Sequence, residues 1–261
     1  MEINCREIGV KYGEFQAVKK IDTSIYKGTI TTIIGPNGSG KSTFLKAITR
    51  LLKYNKGTVY INDKNIESYK GKELSKLIAV LPQKHSAPPD FKVEELVSYG
   101  RMPHKKWYDT KNDCNDPIVN WAMECTNVSH LRKKSINEIS GGEAQRVWIS
   151  TALAQNPEIL FLDEPTTYLD ISHQLETMNL VKKLNKDHGI GVVMVLHDLS
   201  HALEVSDNII VLKNGQKYDE GKPVDVITSK MMKDVYNVDC DIINIEGRNK
   251  PIIAYREIQA V

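Results

Sequence analysis

Apolar and polar positions along the chain fall into three kinds of stretch. Over residues 1–85, short β-type runs alternate with turns. Ile30-Thr31-Thr32-Ile33-Ile34 is an unbroken run of strand formers that stops at Gly35, and it reads as a buried strand. A helical pattern follows over 42–52, and Gly57-Thr58-Val59-Tyr60-Ile61-Asn62 reads as the next strand. Strand, glycine-rich loop and helix in that order open an α/β unit.

Residues 86–157 follow another rhythm. Ala87-Pro88-Pro89-Asp90 breaks the chain, and helical stretches are expected over 93–99, 116–126 and 143–154. This section reads as a helical insertion. Over 158–213 apolar strands return. Ile159-Leu160-Phe161-Leu162 and Val192-Val193-Met194-Val195-Leu196 are buried-strand candidates, with a helix expected over 172–188 between them. The pattern weakens after 221, and 221–261 reads as a small C-terminal appendix. No internal repeat or low-complexity tract interrupts the chain.

Composition narrows the class. The 261 residues are 41% apolar and 26% charged, which suits one large folded domain or two small ones and excludes disorder and coiled-coil rods. Lys+Arg (35) and Asp+Glu (33) nearly cancel, so net charge gives no attraction to nucleic acid. Cys5, Cys114, Cys125 and Cys240 have neither zinc spacing nor the density of a disulfide framework, and a reducing compartment is expected. Residues 1–6 lack the apolar core of a signal peptide. The apolar runs are too short to span a bilayer, so any work at a membrane is expected to go through a partner.

Gly35-Pro36-Asn37-Gly38-Ser39-Gly40-Lys41-Ser42 carries the spacing G-x-x-x-x-G-K-[ST] of a phosphate loop. Glycines let the backbone curl and aim its N–H groups at phosphate oxygens, and the helix behind adds its positive end. Lys41 supplies a cation for the β- and γ-phosphates, and Ser42 a hydroxyl for Mg²⁺. Asp163 and Glu164, at the end of the strand 159–162, divide two further tasks: one acid fixes the metal, the other orients or polarises the attacking water.

Ser140-Gly141-Gly142-Glu143-Ala144-Gln145-Arg146 precedes that pair and resembles the signature of the ATP-binding subunits of ABC transporters. The resemblance runs over about residues 2–220. It implies an α/β fold: a P-loop ATPase core with an antiparallel β subdomain and an inserted helical subdomain. The core would take 1–85 and 158–220, the helical subdomain 86–157, all within a single ATPase domain over 1–261. It also implies a head-to-tail dimer with a second copy, in which Ser140, Gly141 and Gly142 open a helix whose N-terminus closes on the γ-phosphate held by the partner. Further nucleotide contacts are implied for Gly35, Pro36, Asn37, Gly38, Ser39, Gly40, Lys41, Ser42 and Thr43, for Tyr12 stacking on adenine, and for Glu143, Asp163 and Asp170. Gln83 is implied as the glutamine that contacts Mg²⁺ or water and reports to the membrane subunit, and His197 as the switch histidine at the γ-phosphate. The catalytic set is then Glu164, His197 and Gln83; the metal set is Ser42, Gln83 and Asp163; the cofactors are ATP and Mg²⁺.

Two positions depart from the pattern: Ile139 stands where leucine is usual, and Glu143 where glutamine is. A carboxylate in the first turn of a helix suits its dipole. His197 and His201 have the i, i+4 spacing of a zinc helix but lack the glutamate of H-E-x-x-H, and His197 is expected at a strand end. The remaining histidines (His85, His104, His130, His173, His188) show no ligand spacing. Soluble ABC ATPases of DNA repair or translation are the competing class, and neither their coiled-coil insertion nor their second cassette is present. The guanine-reading N-K-x-D is also absent.

Gly100-Arg101-Met102-Pro103-His104 and Thr166-Thr167-Tyr168-Leu169-Asp170-Ile171-Ser172-His173-Gln174 are similar to segments of bacterial importers for iron–siderophore complexes, haem and cobalamin. That similarity implies integral membrane permease subunits as partners and, indirectly, an external substrate-binding protein, with no nucleic acid. The chain would sit on the cytoplasmic face of the bacterial membrane. The surface around Gln83 and 101–107 would grip the permease.

Overall fold

The computed structural model describes residues 1–106, 113–247 and 250–258. Strands β1 (Glu2–Tyr12), β2 (Phe15–Tyr26) and β3 (Ile30–Ile34) lead into helix α1 (Lys41–Ile48), then β4 (Lys56–Ile61) and β5 (Lys64–Asn65). Helix α2 (Gly71–Leu77), β6 (Ile78–Leu81), α3 (Val93–Tyr99), α4 (Pro117–Cys125) and α5 (Gly141–Leu153) precede β7 (Ile159–Asp163) and α6 (Ile171–His188). The chain closes with β8 (Gly191–Val195), α7 (Leu199–Val205), β9 (Asn208–Lys213), β10 (Gln216–Gly221), α8 (Pro223–Val226), α9 (Ser229–Met231), a π-helix (Met232–Tyr236), β11 (Val238–Ile243) and β12 (Ile252–Ile258). These elements divide into two units, Met1–Ile66 with Val193–Val261, and Glu67–Val192.

The first unit holds an antiparallel sheet in the order β2-β1-β4-β5, with Ile3 opposite Ile25 on one side and Ile61 on the other. The sequence suggests short runs here, yet β1 and β2 are 11 and 12 residues long. Register shifts let them run on, and Glu7 (φ 54) and Lys20 (φ 74) bend the ladder while their side chains pair at 2.7 Å. In the same unit β3 runs parallel to β9, with Ile33 opposite Ile210, and β10 returns antiparallel to β9. The last three residues of β8 belong to this unit, and β8 neighbours β3. All five residues of β3 are buried, the two threonines included; Thr32 and Ser206 share a hydroxyl hydrogen bond of 2.6 Å. Helix α1 buries Phe44, Leu45 and Ile48, about 1.5–3 kcal/mol of burial for each such side chain.

In the second unit β6 lies parallel to β7, in the register Ile78 to Ile159 and Leu81 to Leu162, and every residue of β7 is buried. Helices α3 and α4 pack on α5, whose Val147, Ile149 and Leu153 are fully buried. Gly100 runs so close to α5 that a Cβ there would stand 2.2 Å from the Thr151 carbonyl. Arg101, expected on a coupling surface, turns inward: its Nε donates to Asp116 Oδ2 at 3.0 Å and its terminal nitrogen to the Ala154 carbonyl at 2.9 Å. His104 bonds the Gln155 carbonyl at 2.8 Å. Met102 and Tyr99 keep large exposed surfaces beside them, and Trp107 lies outside the described residues. All four cysteines are free thiols. Among the described residues no helix is long and apolar enough to cross a membrane.

Candidate functional site

The phosphate loop belongs to the first unit. It starts where β3 runs out, and two of its glycines are required by space as well as by conformation. At Gly35 (φ 149) a Cβ would stand 2.2 Å from the Leu212 carbonyl, and at Gly40 (φ 98) 2.5 Å from the Ala17 carbonyl. Gly40 caps α1 without any side-chain hydrogen bond, and the first turn holds no acid. The helix end therefore presents its N–H groups and positive dipole uncompensated by a carboxylate of its own. Lys41 is only 5% exposed, and its ammonium donates to the carbonyls of Gly35 (2.9 Å) and Pro36 (3.1 Å), inside the curl of the loop. A cation so buried beside an open helix end is an anion cradle, and a phosphate fits it.

A cavity of about 400 Å³ adjoins the loop, with Gly38, Phe15, Ala17, Asn214 and Gly215 among its walls. Tyr12 stands opposite Phe15 across the β1–β2 turn, and both rings are largely exposed. Phe15 was missed by sequence reasoning, although a second aromatic three positions beyond Tyr12 and past Gly13 is a visible signal. His197 emerges from the same edge of the sheet as the loop, because the Leu196 N–H donates to the Ile33 carbonyl at 3.3 Å, one residue before β3 ends. His197 precedes α7, which Asp198 caps by accepting from the His201 N–H at 2.9 Å; the two histidines therefore do not share a helical turn.

The second unit carries the acids and the signature. Leu81 and Leu162 are register partners on parallel strands, so the residues two positions further on, Gln83 and Glu164, leave the strands side by side. The Gln83 amide donates to Glu164 Oε2 at 2.6 Å, and the Thr167 hydroxyl to the same oxygen at 3.1 Å. Glu164 sits at φ 55, a left-handed conformation uncommon for glutamate and characteristic of functional turns. Asp163 ends β7 at 2% exposure. Within this unit Asp163 and Gln83 offer a carboxylate and an amide oxygen, hard donors of the kind Mg²⁺ takes, so their chemistry fits that ion.

Ser140 caps α5 in a reciprocal box: its hydroxyl accepts from the Glu143 N–H at 3.3 Å, and Glu143 Oε2 accepts from the Ser140 N–H at 2.8 Å. Those bonds hold the Glu143 carboxyl below the usual carboxylate range. The unusual glutamate at this position is thus occupied in building the turn. Gly142 lies against the His173 ring, where a Cβ would meet the imidazole at 2.4 Å. The His173 N–H donates to Asp170 Oδ1 at 2.9 Å, and this bond and the Ser172 hydroxyl hold Asp170 low. His173 Nδ1 and Arg146 both reach Glu176, at 3.1 and 2.5 Å. The signature turn and the loop at Asp170 are therefore one packed assembly, a link with no sequence signal beyond the histidine itself.

The family model described as ABC transporter matches residues 18–167, more than half of the chain. The chain belongs to the ABC transporter family. Over 250 residues it is 44% identical to the iron(3+)-hydroxamate import ATP-binding protein of Bacillus subtilis (strain 168), covering 96% of this chain and 93% of the relative. The petrobactin import ATP-binding protein of Bacillus anthracis is 39% identical over 256 residues, 98% of this chain and 93% of the relative. Among solved structures, the dimeric structure of a bacterial ABC transporter cassette is 31% identical with a TM-score of 0.73, covering 85% of this chain and 98% of that one. This ABC protein is an ATP-binding, ATP-hydrolysing cassette.

Proposed function

We propose that this chain is the ATP-hydrolysing subunit of a bacterial importer for an iron–siderophore complex. It works as a pair of identical copies under a membrane permease, on the cytoplasmic face, with an external binding protein delivering the cargo. The observation that carries the reading is the 44% identity, over nearly the full length of both chains, to an iron(3+)-hydroxamate import ATP-binding protein. The anion cradle around Lys41 supports the ATPase part independently.

In this reading, Lys41 and the backbone N–H groups between Gly35 and Thr43, Pro36 excepted, bind the phosphates, and an exposed aromatic of the β1–β2 turn, Tyr12 with Phe15 beside it, takes the adenine. Ser42, Asp163 and Gln83 would hold Mg²⁺, which neutralises β- and γ-phosphate charge. Glu164 orients the attacking water and takes its proton, and His197 bonds the transferring γ-phosphoryl group. Ser140, Gly141 and Gly142 of one copy seal the nucleotide of the other, with Asp170 at the same contact. Closure of the pair then moves the surface around Gln83, Tyr99 and Met102, and with it the permease.

Lys41→Ala is expected to weaken ATP binding about tenfold or more, through loss of charge-assisted hydrogen bonds, as titration calorimetry would read. The cargo is tested in a bacterium deleted for the gene and limited for iron. Ferric hydroxamate should support growth when the native chain is restored and not when K41A is. Growth rescue by haem or cobalamin uptake alone would move the cargo assignment to those ligands.

A further inference from the structure

Just beyond β6 the chain runs almost entirely in solvent. Pro82, Gln83, Lys84 and Ser86 are exposed, and His85 is the one residue of 82–86 drawn partly inward. Its ring lies against the Trp148 indole, with centroids 4.7 Å apart and planes tilted by 54°. At that separation tilted rings attract each other beyond the area they bury. Trp148 belongs to α5 and stands about two helical turns beyond Ser140, the cap of the signature turn. His85 also folds back on its own segment, with Nδ1 3.1 Å from the Pro82 carbonyl. A carbonyl only accepts, so this bond places a proton on Nδ1. Burial pushes the imidazole pKa down, toward the neutral ring that a contact with indole in a half-dry site favours.

The consequence falls on Gln83, which lies between these anchors. On one side Leu81 is fixed by its register with Leu162, and on the other His85 is fixed on Trp148. Between them the Gln83 amide donates to Glu164 Oε2 at 2.6 Å. Gln83 is itself exposed, so packing around its side chain does not hold that geometry. The backbone on either side does, and His85 supplies the C-terminal half of the hold.

We propose that His85 is a positioning residue for Gln83: stacked on Trp148 and bonded to the Pro82 carbonyl, it ties the turn after β6 to the signature helix and keeps the Gln83 amide on Glu164. A shift of α5 is thereby felt at the carboxylate that faces the attacking water. The proposal rests on the reading of Gln83 and Glu164 as hydrolytic residues. Its test is a double-mutant cycle of ATPase rates in the full chain: native, His85→Ala, Gln83→Ala and the double variant. H85A removes a ring contact and a hydrogen bond, and it is expected to lower kcat about fivefold to tenfold with KM for ATP within about twofold. In the Q83A background the same substitution should change kcat by less than about twofold, because the group that His85 positions is gone. A merely structural role would lower the rate equally in both backgrounds. Trp148→Leu keeps an apolar helix former and loses the ring. It should repeat the pattern of H85A, and a native rate there overturns the proposal.

Native kcat in H85A overturns the assignment, as does an equal loss in both backgrounds. If H85A does not fold, His85→Asn keeps a donor for the Pro82 carbonyl, lacks the ring and should show the same Gln83-dependent loss; no loss, or an equal loss with and without Gln83, overturns the proposal too. Native turnover in Q83A would defeat the reading of Gln83, and the proposal with it. Slow turnover in Q83A beside native turnover in H85A defeats His85 alone.

Discussion

Glu164→Gln should bind ATP at least as tightly as the native chain and hydrolyse it at least about a hundredfold more slowly. The substitution is almost isosteric, and the local geometry survives it. Gln83 and Thr167 both donate to Glu164 Oε2, and a glutamine side chain keeps an oxygen that accepts from them. The backbone conformation at φ 55 carries over unchanged in kind. What disappears is the carboxylate's capacity to take a proton from water, together with one negative charge that would otherwise stand against a triphosphate. The two losses act in opposite directions on turnover and on binding, which separates a base from a structural acid. Single-turnover phosphate release and light scattering of the ATP-loaded protein read both: slow release, and a trapped dimer. Native-rate release would remove Glu164 from the role of base.

Much of this site is legible because its chemistry is local. The run Ile30-Thr31-Thr32-Ile33-Ile34 forms β3 with the bounds expected of it, and 93–99 forms α3 likewise. Gln83 and Glu164 stand out as motif positions, and their hydrogen bond follows once the Leu81–Leu162 register is known. Even small errors have local causes. Helix α1 stops at Ile48, short of the expected 52, because the Thr49 hydroxyl bonds back to the Leu45 carbonyl at 2.9 Å and Arg50 turns to φ 60. Other features depend on which distant residues meet. The inward turn of Arg101 needs Asp116 and Ala154 as acceptors, and nothing in Gly100-Arg101-Met102-Pro103-His104 announces them. The β11–β12 hairpin keeps Ile243 and Tyr255 exposed, so it lacks the alternation by which a half-buried strand is read.

Ser140→Arg should abolish turnover while leaving ATP on the phosphate loop. Ser140 is exposed and caps α5, so the substitution costs the cap, about 0.5–2 kcal/mol, and adds a long cation to the signature turn. Ser140→Ala costs the same cap without the bulk. Turnover that survives in S140A and vanishes in S140R therefore isolates obstruction at the turn from a weakened helix. The shared-site arrangement makes a sharper prediction when two defective chains are mixed. In a head-to-tail pair of S140R with K41A, one nucleotide meets the intact loop of the first chain and the intact signature turn of the second. The other nucleotide meets both defects. Mixing the two inactive proteins should then restore part of the native ATPase rate, with the S140R chain bearing the hydrolysed nucleotide. If each chain's loop and turn instead served its own nucleotide, every site in the mixture would carry one defect, and the rate would stay at that of the separate variants.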